Sequence, residues 1–184
     1  MQVHLTTWAL DDGAVEPFRV GDRIAPALGI AVEQLPIAAD PGEADRITPV
    51  PTPVAWGRVR ARADVVGPVR LILDADGTPF SALVTPFPEV PLVFVGPAPV
   101  DPAWSGDRIL VRGDVVIEPY LWEEGGIIRN SIRHRHHIAV VERIRTLMTI
   151  EDSGAAAQLV DVTRTVPHQV DAEDYLVDLR IELS

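Results

Sequence analysis

The last stretch of the chain constrains the fold most. In Glu173–Leu183, Tyr175, Val177, Leu179, Ile181 and Leu183 take one parity, while Asp174, Asp178, Arg180 and Glu182 take the other. Side chains of a β-strand alternate between two faces, so this pattern predicts a strand with one buried face. Residues 54–66 repeat it: Val59, Ala61, Ala63 and Val65 share one parity, and Trp56, Arg58, Arg60 and Arg62 the other. Val69–Leu73 and Phe80–Thr85 flank Asp76-Gly77, a natural hairpin turn. Residues 54–85 are therefore expected to form a three-stranded meander.

Further strands are expected at Val3–Leu10, Leu92–Val95, Ile109–Ile117 and Ala157–Val166. A second, long hairpin is expected over 108–147, with Glu123-Glu124-Gly125-Gly126 at its tip, where glycine supplies positive φ. His137, Val141, Ile144 and Met148 also fit helical spacing. The β-branched content of 137–148 and the parity of its arginines favour strand. The reading is an all-β fold, a small barrel or sandwich of antiparallel strands with a long hairpin and Pro-rich loops.

Proline sets the connections. Thr48-Pro49-Val50-Pro51-Thr52-Pro53 is expected to be extended polyproline II, and Pro86 to Pro102 break up a second region. A chain of 184 residues fits one β-rich domain over 1–184, with two sub-barrels divided near 86–104 as the alternative. Gly21-Asp22-Arg23-Ile24 recurs as Gly106-Asp107-Arg108-Ile109 and reads as a shared turn, glycine relieving strain and aspartate bonding nearby backbone.

Hydrophobic residues make up 47% of the chain, enough for a packed core. No run of about 18 apolar residues suggests a membrane span, and the first ten residues lack the order of a secretory signal. Cysteine is absent, which excludes disulfides and thiolate metal sites. A cytoplasmic protein is expected. Its net charge of −11 opposes indiscriminate binding to nucleic acid.

Against that acidity, residues 129–145 form a basic island. Arg129, Arg133, Arg135, Arg143 and Arg145 all fall at odd positions, with Glu142 the one acid among them. Together with Arg58, Arg60 and Arg62 beside Trp56, they are the candidate surface for an anion or a partner. Arginine suits bidentate contacts to carboxylate or phosphate, and all 16 basic residues here are arginine. A coding bias that also enriches Ala, Gly, Pro, Val and Asp is the preferred account of that preference. Like charges on neighbouring strands repel, so the sheet must separate the arginines, neutralise them, or leave them to a partner. Asp174, Asp178 and Glu182 on the last strand are the nearest source of neutralisation.

His134 and His136 share a strand face and could supply two metal nitrogens, with Glu142 as a further ligand, in the manner of a cupin motif. The spacing to Glu142 is long for that motif, and no distal partner motif follows. No cofactor is called for. Neither a nucleophile elbow nor a phosphate-binding glycine loop occurs, and no catalytic residue is nominated. The carboxylate pairs, Glu173-Asp174 among them, fall at element ends.

The opening strand followed by Glu16-Pro17-Phe18-Arg19-Val20-Gly21-Asp22 resembles uncharacterised small β-rich proteins of high-GC bacteria, over about 25 residues. The cysteine pair of that opening is missing here, and the resemblance implies a bacterial β-rich protein with no assigned activity. The functional expectation is a non-enzymatic protein-binding or assembly module, with a protein partner or self-association. A nucleic-acid-binding barrel using the Arg/His face is the first alternative, and a metal-dependent enzyme built on His134 and His136 the second.

Overall fold

A computed structural model describes residues 1–32, 36–51, 59–73, 79–84, 91–95, 108–117, 138–148, 158–167 and 174–182; over 69–73, 79–84 and 91–95 the description is of the backbone. The chain is all-β. Its strands are β1 (Gln2–Thr6), β2 (Arg23–Ile24), β3 (Leu28–Val32), β4 (Ile37–Ala38), β5 (Arg46–Pro49), β6 (Arg62–Leu73), β7 (Pro79–Val84), β8 (Pro91–Val95), β9 (Arg108–Ile117), β10 (Ile138–Met148), β11 (Gln158–Val162) and β12 (Asp174–Glu182). One short helix, α1 (Thr7–Asp11), follows β1. No helix among the described residues is long and apolar enough to cross a membrane.

The strands form one mixed sheet in the order β11-β10-β12-β1-β9-β3-β8-β7-β6-β5, with β2 paired to β10 and β4 to β9 off this path. It does not close into the barrel expected from the sequence: its path ends on β11 and β5. β1 pairs parallel with β9, and β3 parallel with β8; the other ladders are antiparallel. The long hairpin expected over 108–147 does not have β9 and β10 as paired arms, because β12 and β1 lie between them. Its tip, 123–126, lies outside the described residues, as do Asp76-Gly77 and most of 86–104.

Among the described residues of the meander expected over 54–85 there are two strands, where three were predicted. β6 runs through Gly67-Pro68 as a single strand of 12 residues. It pairs with β9 from Arg62 to Pro68 and with β7 from Val69 to Leu73. Pro68, which lacks a backbone N–H, sits at this change of partner, where a central ladder would not tolerate it. Pro49 likewise lies on an edge: Arg46–Pro49 pairs with β6 as strand, not as free polyproline II.

The core lies on one face of the sheet. Val3 and Leu5, Ile30, Val65, Val111 and Val115, Val141 and Ile144, and Tyr175, Val177 and Leu179 form one cluster, joined by Ala9 and Leu10 of α1. The parity read for β12 therefore holds. The strand expected over Val3–Leu10 stops at Thr6, whose hydroxyl accepts a hydrogen bond from Ala9 N–H and caps α1. Gly113 is required by packing: a Cβ there would stand 2.4 Å from the Ala31 carbonyl oxygen and 2.7 Å from Ile30 Cγ2. Gly21 has φ +94°, and the Asp22 carboxylate accepts from Arg19 N–H at 2.8 Å, the turn chemistry expected of this motif.

Candidate functional site

The arginine surface comes first. Arg129, Arg133, Arg135, Arg58 and Trp56 lie outside the described residues, as do His134 and His136. Arg143 and Arg145 stand on β10, the strand expected there. Their shared parity with the earlier arginines does not carry through the strand, however. Val141 pairs with Leu179 and Arg143 with Asp178, so Glu142 forms a β-bulge. Odd positions Ala139 and Val141 are buried before it; even positions Ile144 and Thr146 are buried after it. One parity thus spans two faces. The even positions change face in the same way, since Ile138 is exposed and Ile144 lies in the core.

Acids of the same sheet engage the described arginines. Arg143 makes a two-pronged contact to Asp161 on β11, Nε to Oδ1 at 2.6 Å and Nη2 to Oδ2 at 2.9 Å. These hydrogen bonds hold the Asp161 carboxyl below its ordinary pKa and raise that of Arg143. Arg145 Nη2 donates to both carboxylate oxygens of Asp178 on β12 at 3.0 Å, and Gln2 Nε2 donates to the same aspartate. Arg180 donates to Glu142, and Arg23 to Glu182. Arg60 lies 3.5 Å from Asp114. Arg62 begins β6, its backbone opposite Asp114. Leu147, Leu176, Val59 and Ala61 form a second, small apolar cluster. Of the last-strand acids expected to neutralise arginine, Asp178 and Glu182 do so. Asp174 turns to a histidine.

That histidine marks a second place, which sequence reasoning missed. β9 pairs with β3 along one edge from Gly113 to Ile117. Its other edge is taken by β6 up to Asp114 and then by β1 at Val116. Two strands thus share one edge in succession, and the sheet forks between them. Residues 59–61 leave the sheet at this fork; Val115 N–H still donates to the Ala61 carbonyl at 3.0 Å. A splitting sheet cannot fill the gap with its own ladder, and here it leaves a cleft of about 500 Å³.

The cleft is lined by His4 and Thr6 of β1, Trp8 of α1, Arg60, Asp114 of β9 and Asp174 of β12, among others. His4 points outward because Val3 and Leu5 point into the core. Its Nε2 lies 3.0 Å from Asp174 Oδ2, with both side chains mostly buried. The ring N–H does not align with that oxygen as a hydrogen bond would require. Asp114 is buried at 7% exposure, whereas Trp8 is 59% exposed. No local pattern signals this site, because His4 and Asp174 stand at opposite ends of the chain. Among the described residues, no group of three or more His, Asp or Glu could hold a metal ion.

Comparison of the chain with protein-family models, with curated proteins and with solved structures finds no match in any of the three.

Proposed function

We propose that the protein is a non-enzymatic binding and assembly module whose partner is a second copy of its own chain, paired edge to edge through β11. The observation that supports this is the contrast between the two ends of the sheet. β5 is four residues long, contains Pro49, and carries Arg46 in an ion pair with Glu43, features that blunt an edge against pairing. β11, Gln158-Leu159-Val160-Asp161-Val162, has neither proline nor a basic residue, and Leu159 and Val160 are exposed. Asp161, its one charge, is neutralised by Arg143 within the same subunit.

An antiparallel pairing of β11 with its own copy, centred on Val160, places each Val160 opposite its counterpart and each Leu159 opposite an aspartate already neutralised. Such a contact is isologous and closes as a dimer. It also extends the sheet by main-chain hydrogen bonds, as in strand-addition recognition. Arg60, Arg143 and Arg145 face acids of their own sheet and the net charge is −11, so protein is favoured over nucleic acid as partner. The proposed setting is the cytoplasm, which the absence of cysteine fits. Light scattering over a concentration series of the full chain tests the reading. A mass rising towards twice that of the chain is expected, and a constant monomer mass counts against it.

A further inference from the structure

We infer that the cleft at the fork of β9, β6 and β1 is a binding site for an organic cation, an ammonium or guanidinium group. The inference stands apart from pairing through β11, which β10 separates from the cleft and which contributes no residue to its described lining. Two carboxylates face the cleft from different strands, Asp114 of β9 and Asp174 of β12. Against them stand Arg60, which is always charged, and His4, which is charged only when protonated. Among the described lining residues, two acids then stand against one arginine when the imidazole is neutral.

Trp8 supplies the second element. Its indole is 59% exposed although it lines the cleft, and an aromatic face beside carboxylates attracts a cation through the ring quadrupole. Thr6 and Thr7 complete the polar side of the lining. An anion would meet both aspartates, and a purely apolar ligand would strip water from them without replacing its hydrogen bonds. The volume, about 500 Å³, admits an arginine side chain or a small amine with room to spare.

Agmatine, the uncharged analogue N-butylurea and a blocked Gly-Arg-Gly peptide serve as probes, titrated into the full chain and followed by calorimetry and by the NMR signals of His4 and Trp8. Saturable shifts at both residues are expected with agmatine or the peptide, and none with the urea. Asp174→Asn is expected to weaken binding about tenfold or more, the equivalent of one lost charge-assisted contact. Trp8→Ala, an exposed position whose loss spares the core, is expected to weaken it several-fold. Tighter binding of the peptide assigns the cation to a protein side chain, and tighter binding of agmatine to a free amine. Equal binding of the urea, no saturable shift with either cation, or unchanged affinity in both variants would overturn the inference.

Discussion

Replacing Arg145 by methionine tests whether the basic island is structural. Arg145 and Asp178 are 17% and 27% exposed, so solvent screens their contact only in part. Unit charges about 4 Å apart at an effective dielectric near 20 attract by about 4 kcal/mol. Desolvation of the two ions offsets most of that gain, leaving a net value of about 1–2 kcal/mol. Methionine keeps the aliphatic length that lies over the sheet but leaves Asp178 with the Gln2 hydrogen bond and the more distant Arg143. A loss of about 2 kcal/mol is expected, close to the cost of a buried charge deprived of one partner. The assay is equilibrium urea unfolding of R145M, D178N and the double variant. The double variant should lose about 1 kcal/mol less than the sum of the singles, because both remove one interaction. Additivity within about 0.3 kcal/mol would refute the reasoning, and Arg145 would then be open to an external anion.

Two further outcomes are accessible to the same method. The Tyr175 hydroxyl donates to the Val166 carbonyl at 3.1 Å and accepts from Val166 N–H at 3.0 Å. Tyr175→Phe deprives both backbone groups of their partner and should cost about 1–3 kcal/mol, read as a lower urea midpoint at unchanged slope. The hydrogen bond from Arg112 lowers the pKa of Asp64 in the folded protein. Its contribution is therefore present above the unfolded carboxylate pKa, near 4, and is lost as pH falls through the lower folded value. D64N should flatten the acid side of the stability profile; an unchanged acid limb would show that the pair contributes nothing.

How far the sequence revealed the fold depended on how local each signal was. The core face of β12 was legible, since Tyr175, Val177 and Leu179 are buried as their parity requires; Leu176, apolar and buried among the polar positions, was not. The odd positions of 59–65 were readable as buried, but Val59 and Ala61 precede β6 and join the small cluster, whereas Ala63 and Val65 lie in the main core. The bulge at Glu142 was not readable, since no glycine or proline marks it. What fixes it is the register against β12 and the reach of Glu142 to Arg180, both long-range. The same holds for the hairpin that fails to pair β9 with β10: two strands from the chain ends insert between them, which no local pattern encodes. α1 was hidden because Thr6 serves both as the last strand residue and as a helix cap. The neutralisation of Arg145 by Asp178 followed from charge placement. Asp161 as the partner of Arg143, and the His4–Asp174 contact, required the sheet order.

The central claim, that β11 pairs with its own copy, is tested most directly by exchanging charge at Val160, whose side chain is exposed and would stand opposite itself across the two-fold axis. Lysine at both copies places like charges opposite one another, as does glutamate, and either should prevent pairing. Light scattering should find dimer for the wild type, monomer for V160K and for V160E alone, and dimer restored when the two variants are mixed in equal amounts. A wild-type chain that stays monomeric, or variants that associate as the wild type does, would contradict the account.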